Sequence, residues 1–228
     1  ALYQLTAEGM KWKALAGCPE RPIAEGATLS SQHNGYETAL YLIGGRGTDE
    51  KGLFIAENVW EYLPISNTWV KKAAFTENDA PLQLMYAAAI NYGSAHIVVF
   101  GGDDGKEFIR RSELEKKIAA TDDEQEKETL KAELAEAFTS HKGFCNKMFA
   151  YHPITDTWTT ASSFDFTLPA VTTVVRTGNT LQLVSGEAKP GVRSNETVTV
   201  RLDDEVSFGW LNYLVVILYL AGMLGIGF

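Results

Sequence analysis

Glu187 and Arg193 stand six positions apart in LVSGEAKPGVRSNETVTV (Leu183–Val200), with Lys189, Pro190 and Gly191 between them. A carboxylate can take a proton from a hydroxyl, and a guanidinium binds a carboxylate through two parallel hydrogen bonds. Pro190 restricts the backbone and Gly191 gives it freedom to turn, so the pair sits on a short bend between two β-type runs. The two groups together offer proton transfer beside an anion-binding site. A loop salt bridge accounts for the same residues equally well, and residue types alone leave both readings open. Lys189 is a weaker candidate for contact with an anion, its other reading being a solvated loop residue.

Other chemistry is limited by composition. A net charge of −9 and a pI near 5.0 argue against nucleic acid as a partner, because phosphate neutralisation needs clustered Lys and Arg. His33, His96, His141 and His152 form no local ligand pair, and Cys18 and Cys145 are far apart, so neither a metal nor a cofactor is expected. With 45% hydrophobic and 11% aromatic residues, the chain can bury a core.

The elements that must position Glu187 are repeated. VWEYLPISNTW (Val59–Trp69) and MFAYHPITDTW (Met148–Trp158) share a Tyr, a Pro two residues on and a Trp seven residues on. Ahead of each lies an apolar run ending in two glycines, YLIGGR (Tyr41–Arg46) and IVVFGGD (Ile97–Asp103). A third such run, LQLVSGE (Leu181–Glu187), has Ser185 in place of the first glycine. Turn signals at His33-Asn34-Gly35, Tyr92-Gly93-Ser94 and Thr177-Gly178-Asn179 place one more strand before each run. The unit is thus four short antiparallel strands, and the class is all-β.

This unit resembles the kelch repeat of β-propellers, whose blades are four-stranded sheets. The resemblance implies an incomplete propeller over residues 1–205, with about three to four blades present. Residues 1–22 supply the tail of one blade, 23–80 a full blade, 81–168 another, and 170–202 three strands of a fourth. Aligning the three glycine-ended runs puts Arg46, Asp103 and Glu187 at one equivalent position. In a propeller such loops gather at one face, where binding sites are usual, so Arg46 and Asp103 join Lys189 as substrate-binding candidates.

A helical insertion, about 106–141, interrupts the third of these blades. Ser112/Glu115 and Thr121/Glu124 fit capping boxes, and Leu130, Leu134 and Phe138 form a narrow apolar stripe. It reads either as a solvated helical pair on the rim or as a lid beside the binding face. The last 19 residues carry no charge, which predicts a transmembrane helix over 208–228 and a chain cut within or just after it.

GEAKPGVR, placed after LVS in such a blade, resembles the active-site loop of the cyclically permuted mutarotases, the N-acetylneuraminate epimerase family. The resemblance implies that Glu187 is the proton acceptor, that Arg193 contacts substrate, and that the substrate is a small acidic sugar whose anomers are interconverted. The tail resembles the first helix of sodium/solute symporters, which some bacterial proteins join to a kelch part. It implies a membrane-anchored protein with its propeller periplasmic or extracellular. A non-catalytic sugar-binding domain of a transporter, and a protein-binding scaffold, are the alternatives.

Overall fold

The Tyr-to-Trp motif folds the same way both times it occurs in the computed structural model, which describes residues 2–21, 23–77, 80–202 and 209–226. The Tyr62 hydroxyl donates to Asn67 Oδ1 at 2.8 Å, and the Tyr62 and Trp69 rings lie 5.1 Å apart. In the second copy the Tyr151 hydroxyl donates to Asp156 Oδ1 at 2.6 Å, with the Trp158 ring 4.7 Å away. Asn67 and Asp156 have φ of 54° and 56°, a left-handed conformation that Asn and Asp tolerate better than other side chains. Each motif therefore closes the outer hairpin of a sheet by its own side chains.

Two sheets have four antiparallel strands in sequence order. The first comprises Thr28–His33, Thr38–Ile43, Val59–Leu63 and Thr68–Lys72. The second comprises Ala88–Tyr92, His96–Phe100, Lys147–His152 and Thr157–Ser163. A third has three strands, Thr173–Thr177, Thr180–Lys189 and Val192–Arg201. Near the start of the chain Tyr3–Leu5 pairs with Trp12–Ala14.

The sheets are arranged as blades. Thr28–His33 packs on Ala88–Tyr92, which packs on Thr173–Thr177, so the first strands of successive sheets are neighbours. Two residues ahead of each first strand stand Gly26, Tyr86 and Val171, with φ of 72°, 57° and 51°. Tyr86 N–H donates to Gly26 O at 2.7 Å, and Val171 N–H donates to Tyr86 O at 3.0 Å. Equivalent positions of three sheets are thus joined head to tail along one arc. In the strand His96–Phe100 the run is apolar from Ile97 onward because both faces are covered: Ile97 and Val99 face a core shared with Tyr41, Ile43 and Phe149, while Val98 and Phe100 face Leu168, Leu181 and Leu183. The double glycine has a steric cause, since a Cβ on Gly44 would sit 2.0 Å from the Leu84 carbonyl oxygen. Ser185 takes the same left-handed conformation, φ 57°, but is exposed, and its hydroxyl donates to Ser194 O at 2.7 Å.

The insertion forms α1 (Lys106–Ala120) and α2 (Glu124–Thr139), which pack on each other. Its expected caps differ. Gly105, left-handed at φ 77°, turns the chain into α1 directly, so Ser112 and Glu115 lie inside the helix. Asp123, not Thr121, caps α2 by accepting from Gln125 N–H at 2.8 Å and Glu126 N–H at 3.4 Å.

The C-terminal apolar run forms α3 (Trp210–Ile226), whose large side chains are exposed. Among the described residues no helix is long and apolar enough to cross a membrane, so the transmembrane helix expected over 208–228 is not shown. Residues 208, 227 and 228 of that span, and 203–205 of the blade region, lie outside the described residues.

Candidate functional site

The three aligned positions share a backbone arrangement. Arg46 is paired in register with Glu25, Asp103 with Met85, and Glu187 with Ala170. Asp103 and Met85 exchange hydrogen bonds of 2.8 and 2.9 Å, and Glu187 and Ala170 exchange bonds of 2.7 and 3.0 Å. Their partners directly precede Gly26, Tyr86 and Val171, so each aligned residue is fastened beside the arc that links the blades. The hairpin and the loop before it thereby hold the Glu187 backbone at two points.

A cavity of about 440 Å³ opens between this arc and the insertion. Asp103 and Glu187 line it, with Tyr86, Phe108 and Arg111; the turn at Pro190 and Gly191 forms part of the rim. Because α1 and α2 supply Phe108, Arg111 and Phe138, the insertion is a wall of this cavity and not only a rim ornament. Arg46 backs the cavity: its Nε donates to the Tyr86 hydroxyl at 3.0 Å, its guanidinium pairs with Glu25, and it lies 4.1 Å from the Phe108 ring centre.

Glu187 and Arg193 face each other across the hairpin, with Arg193 Nε 3.7 Å from Glu187 Oε1. The Glu187 side chain is only 21% exposed, and its Oε2 accepts the Gly191 N–H at 3.4 Å. The Arg193 side chain is 66% exposed and lies outside the cavity lining. Cross-strand register makes Arg193 a neighbour of Glu187, while its long side chain runs to solvent. Lys189 is likewise exposed and outside the lining.

Asp103 is buried, and burial pushes its carboxyl above the usual range despite the Gly105 N–H that donates to it at 2.9 Å. Burial pushes His141 the other way, and its Nδ1 accepts the Gly143 N–H at 3.0 Å. Asp103 thus holds its proton longer than an ordinary carboxyl, in the same cavity as the less buried Glu187. Two carboxyl groups in unlike surroundings suit the roles of acid and base. Among the described residues no group of three or more His, Cys, Asp or Glu is placed to hold a metal ion.

A family model described as N-acetylneuraminate epimerase matches residues 1–218. The chain belongs to this family. The N-acetylneuraminate epimerase of Haemophilus influenzae (strain PittEE) is 27% identical over 190 residues, covering 82% of this chain and 47% of that protein. The N-acetylneuraminate epimerase of Escherichia coli O9:H4 (strain HS) is 28% identical over 199 residues, covering 86% and 50%. The chain spans about half the length of the curated relatives it matches. A solved structure described as "Structure of YjhT" superposes with a TM-score of 0.68 at 24% identity, over 90% of this chain and 59% of that one, which establishes the shared fold.

For this member of the N-acetylneuraminate epimerase family, sequence reading missed Tyr86, Phe108 and Arg111. A signal existed for two of them, since Phe108, Arg111, Ser112 and Glu115 recur at helical spacing and share one face of α1.

Proposed function

We propose that this chain carries proton-transfer groups of a sugar mutarotase, which interconverts the anomers of an acidic ketose such as N-acetylneuraminate. The observation that carries the reading is Glu187, doubly bonded to Ala170 through its backbone and lining the same cavity as Asp103, whose carboxyl burial pushes above the usual range. The printed names of the relatives support the substrate class. In the forward step Glu187 takes the proton of the anomeric hydroxyl, the electron pair closes a ketone, and the bond from the anomeric carbon to the ring oxygen breaks. Asp103 gives its proton to that oxygen. Rotation of the open chain and reversal of both transfers closes the ring on the other face, with no net change in protons.

The test is exchange spectroscopy on the two anomers by NMR, with the chain and with Glu187→Gln. General-base loss predicts a rate about 10²–10⁴-fold lower, with sugar affinity nearly unchanged. An equal rate in the variant overturns the assignment. A binding domain without turnover is the second reading, favoured by the exposure of Arg193; it predicts sugar binding with no exchange above background.

The same proposal sets the blades outside the cytoplasm, with the exposed apolar α3 at a membrane and a symporter beyond it. Protease added to intact cells should then cut the propeller; cleavage only after lysis removes this part of the proposal.

A further inference from the structure

Arg111 is a buried cation with no paired acid among the described residues. It stands on α1 one turn beyond Phe108, lines the Glu187 cavity, and is 6% exposed. Among the described residues its Nη1 has no hydrogen-bond partner, and its guanidinium forms no ion pair. The Phe138 ring, 5.0 Å away, offers partial compensation as a cation–π contact. Asp103 feels the charge of Arg111 but is not ion-paired with it, and its Oδ1 is committed to the Gly105 N–H. A buried charge in this position is costly unless an anion meets it.

We propose that Arg111 anchors the carboxylate of the acidic sugar, a role that the family resemblance offers to Arg193. The inference rests on the acidic-ketose reading of the cavity. Two features make the placement productive. In a 2-keto sugar acid the carboxylate is bonded to the anomeric carbon itself, so a clamp on it fixes the reacting centre within one bond. The guanidinium comes from α1 and the base from the Glu187 hairpin, so the sugar is gripped between two walls of the cavity. The planar fork of Arg suits a carboxylate better than the point charge of Lys.

The experiment is calorimetric titration of the chain with N-acetylneuraminate and with its neutral methyl ester. The wild-type chain should prefer the acid. Arg111→Met should weaken acid binding by about 10- to 100-fold, the effect of losing a charge-assisted hydrogen bond, and leave ester binding unchanged. Its melting temperature should not fall, because the change removes an unpaired charge; Arg111→Lys should bind the acid with intermediate strength and serves if the Met variant does not fold. Acid binding unaltered in these variants, no wild-type preference for acid over ester, or no binding of either overturns the proposal. Anomer exchange is read separately. A wild-type preference lost in Arg111→Met, without exchange, sinks the mutarotase reading and keeps the anchor. Exchange with unaltered affinity in Arg111→Met does the reverse.

Discussion

Asp103 and Glu187 occupy equivalent places in successive blades, yet the two carboxyl groups differ in burial, and burial decides what each can do. For Asp103 burial raises the proton affinity, while the Gly105 N–H and the charges of His141 and Arg111 oppose it without cancelling it. The folded carboxyl therefore binds its proton more tightly than the unfolded one. Its contribution to stability is fully present below the unfolded pKa and is lost as pH rises through the folded value. Asp103→Asn keeps an acceptor for Gly105 and removes the charge. Thermal melts should find the variant more stable than wild type by a few degrees at neutral pH, with the advantage vanishing as pH falls to about 4. An advantage independent of pH would assign the gain to something other than this carboxyl. The same variant should exchange anomers more slowly if Asp103 is the proton donor to the ring oxygen.

At the scale of the element, the outer hairpins owe their shape to one side chain each. Asp156 accepts from the buried Tyr151 hydroxyl and from Ala73 N–H at 3.0 Å, and it holds φ 56°. Asp156→Ala leaves a buried hydroxyl unpaired and forces Ala into a left-handed conformation, a loss of about 3 kcal/mol. Asp156→Asn should cost about 1 kcal/mol or less, since Asn67 fills the same place in the sister motif. Urea unfolding of the two variants measures the difference, and equal losses would separate the motif from its hydrogen bonds. This element was legible in the sequence because Tyr, Asn or Asp, and Trp interact within eight residues. The helix caps were less so. Thr121 and Asp123 both satisfy a capping pattern, and α1 begins where Gly105 turns left-handed, which a count of capping residues does not register.

For the whole molecule, blade order followed from the repeat, but the arc through Gly26, Tyr86 and Val171 did not, because these residues share a position and no chemical type. The Glu187 hairpin was readable; the route of Arg193 to solvent and the burial of Arg111 depend on what packs above them. The cores that join the blades draw on Tyr41, Phe149, Leu181 and their neighbours, and neither includes a residue of α1 or α2. The two ends of the insertion also meet, since Cys145 N–H donates to Gly102 O at 3.0 Å. The insertion is thus a wall added to blades that hold together beneath it. Replacing residues 105–142 by a short glycine linker should keep the β-sheet circular dichroism and a cooperative urea transition. It should also weaken N-acetylneuraminate binding by about tenfold or more, as the Arg111 contact goes with it. Loss of the cooperative transition would make the helical pair part of the fold's foundation, and undiminished binding would move the site away from the cavity that Glu187 and Asp103 share.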